Sequence, residues 1–403
     1  MLFHAVVLGC LAGLTALCSA EEPPVSTRRP VPDAFQYVIG TQTFSPSYQF
    51  TDKPRLLETA EAILEMGSNT IKFGIGSNYH GERGNVPAKT DGIDSLTALV
   101  RDEPTHRAVL DMPFAHYLIW VYPFAPGWWK NGYSAEDSAR QSQEIYDVAC
   151  HLLKTYSGSG KAFYLGHWEG DWHLRDGYDT KTDDSVTPAA VQGMIDWLNA
   201  RQKAVDDAKR DTPHHGVEVW NYCEVNLVKI GLEGRKCVTN DVLPHTSVDF
   251  VSYSAYDTQN DPETLGAALN HIESKLPPKE GIAGKRVFIG EYGFPAEINS
   301  PAQQDKKSRQ VMRVALEWGC PFALYWEMFN NEVRDGKQRG FWLIDDRGEK
   351  QPVYHAHARF YAWAREFIAE FRAAHGREPS RSEFGQAGAA FLDSLPQSDA
   401  PRD

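Results

Sequence analysis

The sequence predicts an α/β chain folded as a closed (β/α)8 barrel, the TIM-barrel architecture, in one catalytic domain. Three observations carry that expectation. Eight short β-branched or aromatic runs recur along the chain, longer helical patterns lie between most of them, and several runs end in a glutamate. Alternation of β and α over this length means parallel strands with crossover helices. Eight units point to closure rather than an open sheet. A doubly wound sheet would want a glycine-rich turn after its first strand, and "GTQTFSPS" has none.

The runs, in order, are residues 35–44, 69–76, 116–124, 162–169, 216–225, 248–257, 285–294 and 321–329. The first helical pattern, "DKPRLLETAEAILEMG", places Asp52 as its N-cap and Gly67 as its stop. Others follow the third, fourth, sixth and seventh runs. The one after the fourth opens on Thr187-Pro188, and the one after the seventh on Ser300-Pro301 with Gly319 closing it. A last pattern, "PVYHAHARFYAWAREFIAEFRAAHG", follows the eighth. The barrel is therefore placed at 35–375. Residues 376–403 read as a C-terminal tail, a short helix plus disorder.

Residues 1–20 hold no Lys, Arg, Asp or Glu and end in Cys18-Ser19-Ala20, the pattern of a secretory signal peptide; the rival is a membrane anchor, for which the run is short. A Pro-rich linker spans 21–34. The expected location is secreted or periplasmic, with no membrane contact after cleavage. Beyond the signal lie Cys150, Cys223, Cys237 and Cys320, and Cys223–Cys237 is the best candidate disulfide. The 403 residues carry a formal net charge of −13, which argues against a nucleic-acid partner. No oligomeric state is legible.

In such barrels the working residues sit at the C-terminal ends of strands. Strand four ends in "HWEGDW" with Glu169, and strand seven in "IGEYGFP" with Glu291. Glu291 is in phase with Val287 and Ile289, and Glu169 with Leu165 and His167, so both face the axis if those neighbours do. Two carboxyls across a barrel mouth are what glycoside cleavage needs: one protonates the leaving oxygen, the other attacks or stabilises the sugar cation. Trp168 and Trp172 give Glu169 the apolar setting that keeps an acid protonated.

The glutamate pair, "FIGEYGFP" and "ALYWEMFNN…GFWLIDDRGEKQPVYHA" resemble the clan A glycoside hydrolases, retaining (β/α)8 enzymes, over residues 35–373. The resemblance implies Glu169 as acid/base, Glu291 as nucleophile, and Trp326 as a sugar platform often followed by a cis peptide bond. It implies Tyr256 as a partner of the nucleophile, and puts Lys72 where that clan usually has Arg. Trp168 stands where the clan has an Asn that bonds the sugar 2-hydroxyl; Asn221 is a candidate replacement. His167 reads as a hydrogen-bonding neighbour, and Trp128 and Trp129 as sugar subsites or as a loop packed on the rim. Glu224 and Glu327 read as hydroxyl binders or as partners of Lys or Arg. The expected partner is a β-linked, largely neutral carbohydrate, and no cofactor or metal is called for.

Two rivals remain. One is a carbohydrate-binding barrel without catalysis, motivated by the missing Asn. The other is a metal-dependent hydrolase, motivated by the alternation of His167, Glu169, Asp171 and His173.

Overall fold

The computed structural model describes residues 34–82 and 84–396. The signal peptide expected at 1–20 and nearly all of the expected linker lie outside them. Eight parallel strands close into a barrel: β1 (Ile39–Gln42), β2 (Thr70–Ile75), β3 (His116–Val121), β4 (Lys161–Gly166), β5 (Val217–Val225), β6 (Phe250–Ser254), β7 (Val287–Tyr292) and β8 (Ala323–Tyr325). Pairing of Ile39 with Ala323 and Thr41 with Tyr325 completes the ring.

Between them run α1 (Arg55–Met66), α2 (Leu96–Asp102), α3 (Pro104–Asp111), α4 (Ala135–Thr155), α5 (Gly170–Arg175), α6 (Pro188–Asp211), α7 (Val228–Leu232), α8 (Pro262–Lys275) and α9 (Pro301–Trp318). Then α10 (Pro352–His375) and α11 (Arg381–Ser394) follow β8. The helices α2 and α3 fill a gap where the sequence shows no strong helical pattern. Each is only seven or eight residues long, too short for a clear period.

Local signals act as expected at several ends. The Thr187 side chain accepts from the Ala190 N–H, and Ser300 and Gln303 form a reciprocal capping box. Asp52 does not cap α1. Pro54 occupies that place, and Glu58 reaches back from inside the helix to accept the N–H groups of Phe50 and Thr51.

The strands bury two layers. Leu118, Tyr164, Tyr222, Phe250, Phe288 and Phe322 fill the inside of the barrel. Phe73, Ile119, Leu165, Val219, Val251 and Ile289 face the helices. Each large side chain taken out of water contributes about 1.5–3 kcal/mol. Edge-to-face pairs such as Tyr164–Phe322 and Tyr222–Phe288, with centroids 5.1 and 5.5 Å apart, make the interior a solid floor. Gly166 is needed for one of these rings: a Cβ there would lie 2.2 Å from the ring of Tyr222.

Two sequence expectations are corrected. All four described cysteines are free, so Cys223 and Cys237 are not joined; each is buried as a small apolar group. The boundary at 375 is the other: the short helix expected in the tail is α11, and it packs on the barrel. Ser380 caps α11 with a capping box, Phe384 meets the Phe35 ring at 5.0 Å, and Phe391 stacks on Trp363 of α10.

Candidate active site

Strand β2 points Lys72 inward, and β5 points Glu224 inward two residues beyond Tyr222. On β7 simple alternation breaks. Tyr253 pairs with Ile289 but Ser254 with Glu291, and on the other side Ile289 pairs with Ala323 but Tyr292 with Tyr325. One extra residue in β7 thus brings Gly290 and Glu291 both to the axis side. The phase expectation is therefore wrong in its premise: Val287, Ile289 and Leu165 face the helices. Glu291 turns inward because of the extra residue. Glu169 does so because β4 stops at Gly166 and the chain bends before α5.

Three glutamates and one lysine meet at the floor of the mouth. Lys72 Nζ donates to Glu224 Oε2 at 2.9 Å, to Glu291 Oε1 at 3.2 Å and to the Gly290 carbonyl at 3.1 Å. Tyr256 donates its hydroxyl to Glu291 Oε2 at 3.2 Å. The Glu169 backbone N–H donates to Glu224 Oε1 at 3.0 Å, and Trp172 Nε1 donates to Glu169 Oε2 at 2.6 Å.

Burial, joined by the charges of Glu291 and Glu224, pushes the Glu169 carboxyl well above the ordinary glutamate value; the Trp172 N–H and Lys72 pull the other way. Burial also raises Glu291, to about 8, against the pull of Lys72 and the Tyr256 hydroxyl. The two acids are thus separated by their surroundings. Glu291 has a cation and a hydroxyl as donors, whereas Glu169 has a neutral indole and a site crowded with carboxylates.

An aromatic wall rises beside them. Trp326 stacks on Phe44 at 5.4 Å, and Phe44 packs on Trp120 at 3.9 Å. The Trp326–Glu327 peptide is cis. Trp326 Nε1 donates to Glu332 Oε1 at 3.1 Å. Glu327 is fully buried and accepts the N–H groups of Phe44 and Asn331, so it ties the loops after β1 and β8 and does not reach the cleft.

Several expected site residues lie elsewhere. Asn221 faces outward from β5, bonding Gln202 on α6, with its own N–H on Asp249; it cannot replace an Asn in the cleft. His167 is buried against Trp197 of α6, and its Nε2 accepts the Glu224 N–H. Trp129 is wholly buried, packed against Trp197, whereas Trp128 is 44% exposed on the rim beside His173. Trp168 is half-buried, its N–H donating to the Tyr122 hydroxyl, with no Asn-like donor at that place.

The alternation behind the metal expectation does not survive folding. Residues 170–175 are helical, and Asp171 points away to accept three backbone N–H groups, of Asn226, Leu227 and Val238. Among the described residues no three His, Cys, Asp or Glu side chains converge as a metal site. Sequence reasoning underrates Glu224 and Trp120, and it gives Trp172 only an apolar part: the indole N–H donates to Glu169 and favours its ionised form. For Glu224 the signal was available: a glutamate in phase with an aromatic at a strand's C-terminal end.

No family model and no curated protein matches the chain. Solved structures do match in fold. A GH5_18 variant from Streptomyces cattleya in complex with Manb1-4GlcNAc superposes with TM-score 0.54 at 11% identity, covering 87% of each chain. A glycoside hydrolase 5 lichenase mutant from a Caldicellulosiruptor species, in complex with cellotetraose, gives 0.51 at 12%, covering 84% of this chain and 99% of that one. The GH39 enzyme from Xanthomonas axonopodis pv. citri gives 0.51 at 12%, covering 84% and 68%. The fold shared with these glycoside hydrolases is a closed eight-strand parallel barrel with intervening helices.

Proposed function

We propose that the chain is an exported retaining glycosidase acting on a β-linked, largely neutral oligo- or polysaccharide. The observation that carries this is the pair of buried glutamates, Glu169 and Glu291, at one barrel mouth, Glu291 held by Lys72 and Tyr256 and Glu169 by the neutral Trp172 indole. In the proposed roles Glu291, beside the Lys72 ammonium, is the carboxylate and Glu169 is the acid.

Glu169 gives its proton to the glycosidic oxygen as that bond to the anomeric carbon breaks. Glu291 attacks the same carbon and forms a glycosyl ester. Glu169, now a carboxylate, takes a proton from water, whose oxygen displaces Glu291 and frees the sugar. Lys72 and Tyr256 orient Glu291, and the Trp326 face offers an apolar platform for a pyranose ring. These steps use only side chains and water. The carboxylates lining the mouth disfavour an anionic sugar. Two of the fold relatives hold neutral glycans, Manb1-4GlcNAc and cellotetraose, in their structures. Export to the periplasm or medium rests on residues 1–20.

The test is a screen of β-linked glycans with wild type and Glu291→Ala. Product from wild type alone, first formed as the β-anomer, supports the reading; full activity in the variant refutes it. Trp168, standing where an Asn is expected, favours a second reading: a barrel that binds glycans without cleaving them. Saturable binding with no turnover across the panel would decide for that alternative.

A further inference from the structure

We propose that Glu224 is the positioning residue of this site, fixing the backbone of the acid with one oxygen and holding the nucleophile's lysine with the other. The inference rests on reading Glu169 and Glu291 as the catalytic pair. Glu224 is wholly buried, beneath the cleft, so it does not touch a bound sugar. Its Oε1 accepts the Glu169 N–H at 3.0 Å. Its Oε2 accepts Lys72 Nζ at 2.9 Å, Ser252 Oγ at 2.7 Å and Trp120 Nε1 at 3.4 Å. Strands β2, β3 and β6 thus contribute one donor each, and the bend after β4 a fourth.

Lys72 is the shared element. Its ammonium sits between Glu224 and Glu291, slightly nearer Glu224. The ammonium attracts both carboxylates, its N–H donors are divided between them, and the charge of Glu224 itself raises Glu291. The remaining charges around Glu291 are placed differently. Glu169 stands across the mouth and Tyr256 on the far oxygen. Glu327 spends its oxygens on backbone N–H groups, and Arg201 on α6 spends its guanidinium on strand-end carbonyls. The phenols of Tyr222 and Tyr122 are pushed up by burial and stay neutral.

Removing the Glu224 charge leaves Lys72 wholly to Glu291 and takes one negative charge from beside Glu169. Both carboxyls then ionise at lower pH. A residue that merely held the backbone would alter rate or stability without moving both titrations.

The experiment is a carboxyl NMR titration of the full chain labelled with ¹³C at glutamate, with Glu291→Gln and Glu169→Gln assigning the two resonances. In Glu224→Gln both midpoints should fall by about one unit or more, and in Glu224→Asp, which keeps the charge, both should stay within about half a unit. Midpoints unmoved in folded Glu224→Gln overturn the proposal. If that variant fails to fold, as judged by near-ultraviolet circular dichroism, Ser252→Ala decides. Without the hydroxyl, Glu224 draws harder on Lys72 and the Glu291 midpoint rises; an unchanged or lower midpoint overturns the proposal. The readout needs no turnover. A protein that titrates as stated yet cleaves no glycan keeps the Glu224 tie and loses the glycosidase reading, and a hydrolase whose midpoints stay fixed does the reverse.

Discussion

Glu169 and Glu291 are the same side chain in two settings, and their protons carry both the proposed chemistry and a cost. On the proposed mechanism cleavage needs Glu291 ionised and Glu169 protonated, so kcat/KM should be bell-shaped, with its rising limb above the ordinary glutamate range; a limb near the ordinary glutamate value would contradict the proposal. Trp172→Phe keeps the ring and removes the N–H that favours ionised Glu169. The falling limb should move up by about half a unit to one unit, and kcat should drop about tenfold, in a pH–rate series. Stability runs with the opposite sign. Below about pH 4.5 folded and unfolded chains both hold the Glu291 proton and nothing is lost; as pH climbs toward about 8 the unfolded chain releases it first, and stability falls. Glu291→Gln should therefore resist urea better than wild type by about 2 kcal/mol at pH 9 and show no advantage at pH 4.

At the scale of elements, the site depends on how strands end. Alternation predicts which residues of a regular strand share a face, and it misplaces β4 and β7 by one. The glutamates still reach the mouth because β4 stops early and β7 carries one extra residue. Neither irregularity has a sequence signature that residue spacing alone reveals, although Gly290 marks the second. What the sequence does show is which strand ends carry acids, because polar groups beside apolar runs stand out. The bend after β4 is held by Asp171, which accepts three N–H groups from the segments after β5. Asp171→Ala leaves those donors buried and unmatched; it should cost about 3 kcal/mol in denaturant titrations and lower kcat by misplacing Glu169. From α6 the buried Arg201 donates to the carbonyls of Val121 and Gly166, at the ends of β3 and β4. Arg201→Met, which keeps the stem and drops both bonds, should lower stability by about 3 kcal/mol in the same assay.

At the scale of the molecule, the eightfold alternation of strand and helix is enough to announce the barrel, since parallel strands with crossovers have few other ways to bury both faces. Its end is harder to read. The composition of 376–403 reads as a short helix plus disorder; the helix is there, but Phe384 and Leu392 bury it against α9 and α10, a long-range packing that local composition does not encode. Deleting residues 381–396 should cost about 3 kcal/mol or more, read as a lower midpoint in urea. Change at the mouth of such a closed barrel is also ordered in time. A Cβ at Gly290 would stand 1.7 Å from Ser252 Oγ and 3.2 Å from Glu224 Oε2. Position 290 therefore cannot acquire a side chain while Ser252 and Glu224 keep their places. A library of single substitutions would score glycine at 290 as indispensable, although the obstacle lies in two neighbouring side chains. Paired libraries that vary 252 with 290 would be the first to open that side of the cleft, up to the limit that Glu224 sets.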